Sequence, residues 1–141
     1  MVEPAVGRDL EAIADLDQLA FGPPARPDAL LRAIESGTCW VARDSGHVVG
    51  FAVFDRFLHG HGFLRIIAVH PDHRRKGVAR DIVSRLEATC PTDRLFTATD
   101  KSNAAMQQLC QALGFVRSGE IYELEDGHTE LIYLKRLARP H

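Results

Sequence analysis

Apolar residues at Leu10, Ile13, Leu16 and Ala20 recur every three or four positions, which places them on one stripe of a helix that Gly22-Pro23-Pro24 ends. A second, shorter stripe, Leu30, Leu31 and Ile34, stops at Gly37. The period then changes. Residues 39–42 and 48–54 are apolar runs joined by Asp44-Ser45-Gly46, which predicts an antiparallel hairpin, and residues 63–69 form the next strand. Pro71-Asp72 ends that strand, and Val78, Ile82, Val83 and Leu86 mark an amphipathic helix over residues 76–88. A short strand at 95–99 precedes a second amphipathic helix at 102–113, with Met106, Leu109, Cys110 and Leu113 on one face and Gly114 as its C′ residue. Residues 115–124 and 129–137 read as two last strands around Glu125-Asp126-Gly127.

Strand, helix, strand, helix and strand in the middle, flanked by hairpins, predict a mixed sheet with helices packed on it, an α/β or α+β sandwich. The chain has 141 residues, 45% hydrophobic and 26% charged, the balance of a globular protein and not of a disordered or fibrous one. With no internal repeat or linker, residues 1–141 are expected to form a single domain.

Lys plus Arg is 17 and Asp plus Glu is 19, a formal charge of −2 that argues against a protein devoted to nucleic acid. Cys39, Cys90 and Cys110 make an odd count without Cys-x-x-Cys spacing, so neither a disulfide framework nor a zinc site is expected. The N-terminal residues include acids and no signal-like apolar run, and no stretch is long enough to span a membrane. The expected location is the cytoplasm, with reduced thiols.

The informative stretch runs from Val69 through His70-Pro71-Asp72-His73-Arg74-Arg75-Lys76-Gly77-Val78-Ala79-Arg80. A strand end, a basic turn and a helix start with small residues together supply what an anion needs: unpaired N–H groups, the positive end of a helix dipole and room for close approach. Gly77 grants the backbone its freedom, and Ala79 keeps the first helical turn thin. A pyrophosphate suits such a turn, though a solvated basic helix start has the same composition. Gly-Lys-Ser/Thr is missing, and Gly60-His61-Gly62 lacks the third glycine and following helix of a dinucleotide fingerprint.

Arg74-x-x-Gly77-x-Ala79 after Val69-x-Pro71 resembles the acetyl-CoA signature of the GNAT superfamily of N-acetyltransferases, Gln/Arg-x-x-Gly-x-Gly/Ala at a strand-to-helix junction. Asn103, then Leu109-Cys110, then Gly114-Phe115 resemble that superfamily's second block, and the resemblance spans residues 8–137. It implies a mostly antiparallel central sheet of six or seven strands, about four helices on both faces, and a splayed parallel strand pair in the middle. It also implies acetyl-CoA as acyl donor, held by Ile67, Ala68 and Val69 along the pantetheine arm, by Arg74, Arg75, Lys76, Gly77, Val78, Ala79 and Arg80 at the pyrophosphate, and by Asn103. The Val69 N–H would then donate to the thioester oxygen, where negative charge develops as an amine attacks.

The chain departs from the family at the proton-transfer positions. Cys110 stands where a tyrosine usually protonates the leaving thiolate; its thiol can do so chemically, but its place on the apolar face also suits plain packing. Ala98 occupies one position of the family's glutamate base, and Phe63 and Arg65 occupy another, which leaves His61, or Asp55 at the preceding strand end, as candidate bases. The pairs His59-x-His61 and His70-x-x-His73 lack carboxylates to complete a metal set, and the expected chemistry needs no metal. Glu120, Glu123, Glu125, Asp126 and Glu130 make the last hairpin acidic, which would favour a cationic acceptor, while Trp40 and Tyr122 read as core aromatics. The expected activity is direct acetyl transfer to a primary amine of a small molecule, peptide or protein, by a monomer or homodimer. The rival expectation is a non-catalytic acyl-CoA-binding module that has lost its acid and base.

Overall fold

The computed structural model describes residues 1–138, with seven strands: β1 (Val2–Pro4), β2 (Cys39–Asp44), β3 (His47–Arg56), β4 (Gly62–Val69), β5 (Arg94–Asp100), β6 (Val116–Tyr122) and β7 (Thr129–Arg136). Four α-helices accompany them: α1 (Leu10–Phe21), α2 (Pro27–Glu35), α3 (Val78–Thr89) and α4 (Ala104–Ala112). The strands form one mixed sheet in the order β1-β2-β3-β4-β5-β7-β6, with β4 and β5 as its parallel pair, in agreement with the expected architecture. By contact density the chain divides into two compact units, Met1–Asp55 with Ile66–Ala88, and Arg56–Arg65 with the chain from Thr89 onward.

In the first unit the β2–β3 turn has Ser45 at φ 51° and Gly46 at φ 81°, and this left-handed pair gives a two-residue turn whose twist matches that of the strands. The strands it joins are apolar on both sides, so β2 is buried from Cys39 to Ala42. Cys39, Val41, Phe51 and Val53 meet Ile13 and Leu16 of α1 and Leu30 and Ile34 of α2 in one core. A bulge between Ala42 and Arg43 precedes a charged network. There Arg43 binds both oxygens of buried Asp9, at 2.9 and 2.8 Å, and Glu3 at 2.6 Å. This pairing holds the Asp9 carboxyl below its ordinary range.

In the second unit β5 alternates: Leu95, Thr97 and Thr99 are buried, while Arg94, Phe96, Ala98 and Asp100 are part-exposed. The parallel ladder pairs Gly62, Phe63 and Leu64 with Leu95, Phe96 and Thr97, and the buried Thr97 hydroxyl donates to the Leu64 carbonyl at 2.8 Å. Phe57 stacks on Phe63, with ring centres 5.1 Å apart. Helix α4 ends as its sequence predicts: Gly114 at φ 92° lets its own N–H reach Gln111 and the Phe115 N–H reach Cys110, two bonds that satisfy the last carbonyls.

One strand is not foreseen, and two expectations need correction. Strand β1 goes unpredicted because three residues ending in proline show no period; pairing with β2 creates it, Val2 opposite Ala42 and Pro4 opposite Trp40. Helix α3 begins at Val78 and not at residue 76, because Gly77 at φ 81° lies outside the right-handed helical region. Trp40 is a core residue as expected, but Tyr122 is 71% exposed.

Candidate functional site

The basic turn lies wholly in the first unit. At the end of β4 the His70 N–H donates to the Val49 carbonyl at 2.8 Å, and the His70 side chain accepts from the Asp72 N–H at 3.1 Å, which caps a single turn of 3₁₀ helix over Pro71–His73. Arg75 at φ 63° and Gly77 at φ 81° then place two left-handed residues in the three before α3. Such alternation aims successive main-chain N–H groups toward one concave side, a nest for an anion. The first bond of the helix runs from the Asp81 N–H to the Gly77 carbonyl, so the N–H groups of Val78 and Ala79 stand ahead of the helical ladder. Arg74, Arg75, Lys76, Gly77 and Arg80 are exposed, and nothing lies within 4 Å of where a Gly77 Cβ would project. The turn thus has the donors, the charge and the open approach that a pyrophosphate requires.

Two basic residues near it have partners of their own. His73 Nδ1 lies 3.8 Å from Asp44 Oδ2, and the Arg85 guanidinium sits over the Trp40 ring at 5.0 Å. One positioning residue escapes sequence reasoning. A Cβ on Gly50 of β3 would come within 3.1 Å of the Ala68 carbonyl oxygen, 3.1 Å of Val78 Cγ1 and 3.2 Å of Ile82 Cδ1. Glycine there lets the first turn of α3 lie against the strands next to the β4 segment Ile67, Ala68 and Val69. A glycine inside an apolar strand run signals such a close approach. A cleft of about 920 Å³ also opens in this unit beside the β2–β3 turn, and none of the residues expected to bind lines it.

The second unit carries the remaining expected residues. Asn103 is the exposed N-cap of α4: its Oδ1 accepts from the Met106 N–H at 3.0 Å, which leaves its NH₂ as the end able to meet a ligand. Cys110 is 1% exposed, and burial pushes its thiol up to about 11. His61 directly precedes β4, while Val69 ends it, so these two residues occupy opposite ends of one strand. The His61 ring is engaged locally, Nδ1 lying 2.7 Å from Thr92 Oγ1 and the ring 5.7 Å from that of Phe96.

A cluster that the sequence did not reveal lies at the far end of β5. Asp100 Oδ1 accepts from the Ser102 N–H at 2.9 Å and from its hydroxyl at 2.6 Å, and Oδ2 lies 2.7 Å from His128 Nδ1. These bonds hold the Asp100 carboxyl down at about 2. Glu130, opposite Asp100 in the β5–β7 register, is shifted upward by burial and then by the charges of Asp100 and Glu125. The local signal was Asp-x-Ser directly after a strand, which announces a side-chain-capped turn; nothing local announces a histidine that far along the chain. Among the described residues, no group of three or more His, Cys, Asp or Glu is arranged to hold a metal, and no helix is long and apolar enough to cross a membrane.

Comparison with known proteins bears on the family and the fold. Residues 9–115 match the model of the acetyltransferase (GNAT) family. The L-amino acid N-acyltransferase MnaT of Escherichia coli is 34% identical over 88 residues, 57% of this chain and 51% of that protein, so the match spans about half the length of this curated relative. The crystal structure of a GNAT-family acetyltransferase from Bacillus cereus superposes with a TM-score of 0.87 at 31% identity, covering 99% of this chain and 98% of that one. The structure of yncA from Salmonella typhimurium, solved with its cofactor acetyl-CoA, shares the fold at TM-score 0.74 and 22% identity over 99% of this chain and 95% of that one. With the family model matching most of its length, the chain belongs to the GNAT acetyltransferase family.

Proposed function

We propose that the chain is an acetyl-CoA-dependent N-acetyltransferase that moves an acetyl group directly to a primary amine of a small molecule or of a peptide or protein. The observation that carries this reading is the turn before α3, where left-handed Arg75 and Gly77 lead into the Val78 and Ala79 N–H groups ahead of the helical ladder, beside a cluster of exposed cations. The CoA pyrophosphate sits on that turn, and the pantetheine arm runs along the main chain of Ile67, Ala68 and Val69. The Val69 N–H donates to the thioester oxygen, so the negative charge that grows there as the amine attacks is met by a fixed dipole. Asn103 is a further proposed cofactor contact through its NH₂. Cys110 is assigned to packing, since a thiol at 1% exposure would have to leave its pocket to protonate a thiolate. The name of the Escherichia coli relative makes a free L-amino acid the first acceptor class to try. The location is the cytoplasm, in keeping with three buried cysteines that form no disulfide among the described residues, and the enzyme acts as a single domain, as a monomer or homodimer.

The direct test is thiol release from acetyl-CoA across free L-amino acids, other small amines and short peptides. Acceptor-dependent release is the expected result. A second reading, a non-catalytic acyl-CoA-binding module, is favoured by Ala98 at the glutamate position and by the burial of Cys110. It predicts tight acetyl-CoA binding with no release for any acceptor.

A further inference from the structure

We propose that His70 is a positioning residue of the acetyl-CoA turn: its neutral imidazole caps the 3₁₀ turn that leads to the anion nest, and protonation of the ring trades that cap for a carboxylate and weakens acetyl-CoA binding as pH falls. The proposal rests on the N-acetyltransferase reading above. The Asp72 N–H donates to His70 Nδ1 at 3.1 Å, so Nδ1 carries the lone pair and the proton of the neutral ring sits on Nε2. Protonation turns Nδ1 into a donor, and two donors cannot share that contact. The carboxylate of the same residue offers the alternative, with Asp72 Oδ2 3.8 Å from Nδ1. Asp72 thus presents its main chain to the neutral ring and its side chain to the charged one, two arrangements selected by one proton. The His70 side chain is 36% exposed, so that proton comes directly from solvent.

The cap matters because few other bonds hold the turn, and all of them lie in the first unit. Pro71 has no N–H, so the Asp72 N–H is the first donor the turn has to satisfy. Within the turn the His73 N–H reaches the His70 carbonyl at 2.9 Å, while the Arg74 N–H meets the Pro71 carbonyl only at 3.5 Å. The His70 N–H is anchored on the Val49 carbonyl of β3 at 2.8 Å, which fixes the strand end. At the other end only Arg74, extended at ψ 154°, separates the turn from left-handed Arg75 and the nest. The charged and titratable groups that face the ring are Asp72 and His73 of its own turn, the His73 ring standing edge-on at 5.8 Å. From the β2–β3 turn comes Asp44, whose Oδ2 lies 3.8 Å from His73 Nδ1. A positive charge added near the nest would by itself favour a phosphate ligand, so the sign of the pH effect separates a cap from a mere charge.

Isothermal titration of acetyl-CoA into the parent, His70→Ala and His70→Asn, at about pH 8 and about pH 5.5 on either side of the histidine range, tests the assignment. At the higher pH His70→Ala should bind about threefold to tenfold more weakly than the parent, the effect of one lost hydrogen bond. His70→Asn should restore the affinity, because its Oδ1 accepts the same bond and does not titrate. On acidification the parent should lose about threefold to tenfold in affinity relative to His70→Asn. The phosphates of acetyl-CoA and the His73 ring titrate in both proteins, so this ratio reports His70. In nitrogen-15 NMR of the imidazole, which needs no ligand, the parent at the higher pH should show bare Nδ1 and protonated Nε2, and the Asp72 amide signal should move with the ring on acidification. Equal affinity of His70→Ala and the parent at the higher pH, a ratio to His70→Asn that stays constant or shifts in the parent's favour in acid, or a protonated Nδ1 in the neutral ring would overturn the inference while leaving the acetyltransferase reading intact. Failure of the folded parent to bind acetyl-CoA at either pH would overturn both.

Discussion

The turn from Val69 to Val78 in the first unit is made of main chain, whereas the cluster at the end of β5 in the second unit is made of side chains. In the turn, left-handed Arg75 and Gly77 and the start of α3 orient N–H groups, and the side chains of Arg74, Arg75, Lys76 and Arg80 add positive charge around them. In the cluster, Asp100 and His128 stand 28 residues apart and meet because β7 pairs with β5 and brings the loop before it to the strand end. Main-chain donors suit a fixed anion common to every turnover. The difference also predicts different sensitivities: the turn to anything that changes backbone angles or α3 seating, the cluster to single-atom changes.

The largest effect on stability tests whether the turn depends on the charged network of its own unit. Arg43→Met strands the Asp9 carboxylate, 5% exposed, without its bidentate partner, which should cost about 3–5 kcal/mol in chemical denaturation. Acetyl-CoA affinity should stay near the parent value at temperatures where the variant is folded. A loss of affinity at such temperatures would show that the turn is not self-contained. Next in size, Gly50→Leu overpacks the contact with the Ala68 carbonyl, Val78 and Ile82 and should cost about 1–3 kcal/mol. Unlike Arg43→Met it should also weaken acetyl-CoA binding, while the imidazole NMR signals of His128 stay in place.

The smallest effect concerns Cys110. Its folded-state pKa is raised by burial, so the stabilisation from its neutral thiol is complete below the ordinary thiol range and is lost as pH rises from that range through about 11. Cys39, pushed up to about 12, behaves the same way. The protein should therefore lose stability in alkali, and Cys110→Ala should flatten that decline by up to about 1.4 kcal/mol per pH unit. Turnover in Cys110→Ala should remain within about twofold of the parent; a collapse with the fold intact would return the cysteine to a proton-transfer role.

What was legible in the chain follows from the same contrast. The helices and the turn announce themselves because their determinants are local: apolar stripes, Gly77 and Gly114, the Ser45-Gly46 pair. The short β1 is specified by its partner and not by its own three residues. Gly50 was visible as a glycine in a strand, but its meaning needed α3 above it. The side-chain cluster was the least legible. His61 drew attention through its neighbours in sequence, yet its Nδ1 is engaged by Thr92 at the opposite end of β4 from Val69, whereas His128 joins Asp100 only through long-range register.

The central claim is that the turn before α3 binds the pyrophosphate of acetyl-CoA through its main chain. Isothermal titration of acetyl-CoA into the parent protein and into Gly77→Glu tests it most directly, because glutamate combines an unfavourable left-handed residue with a negative charge at a site where the glycine has open space. The account predicts saturable binding by the parent and loss of at least about 100-fold in affinity for a folded Gly77→Glu protein, roughly 2.7 kcal/mol. No binding by the folded parent at high micromolar acetyl-CoA, or equal affinity in the variant, would contradict it.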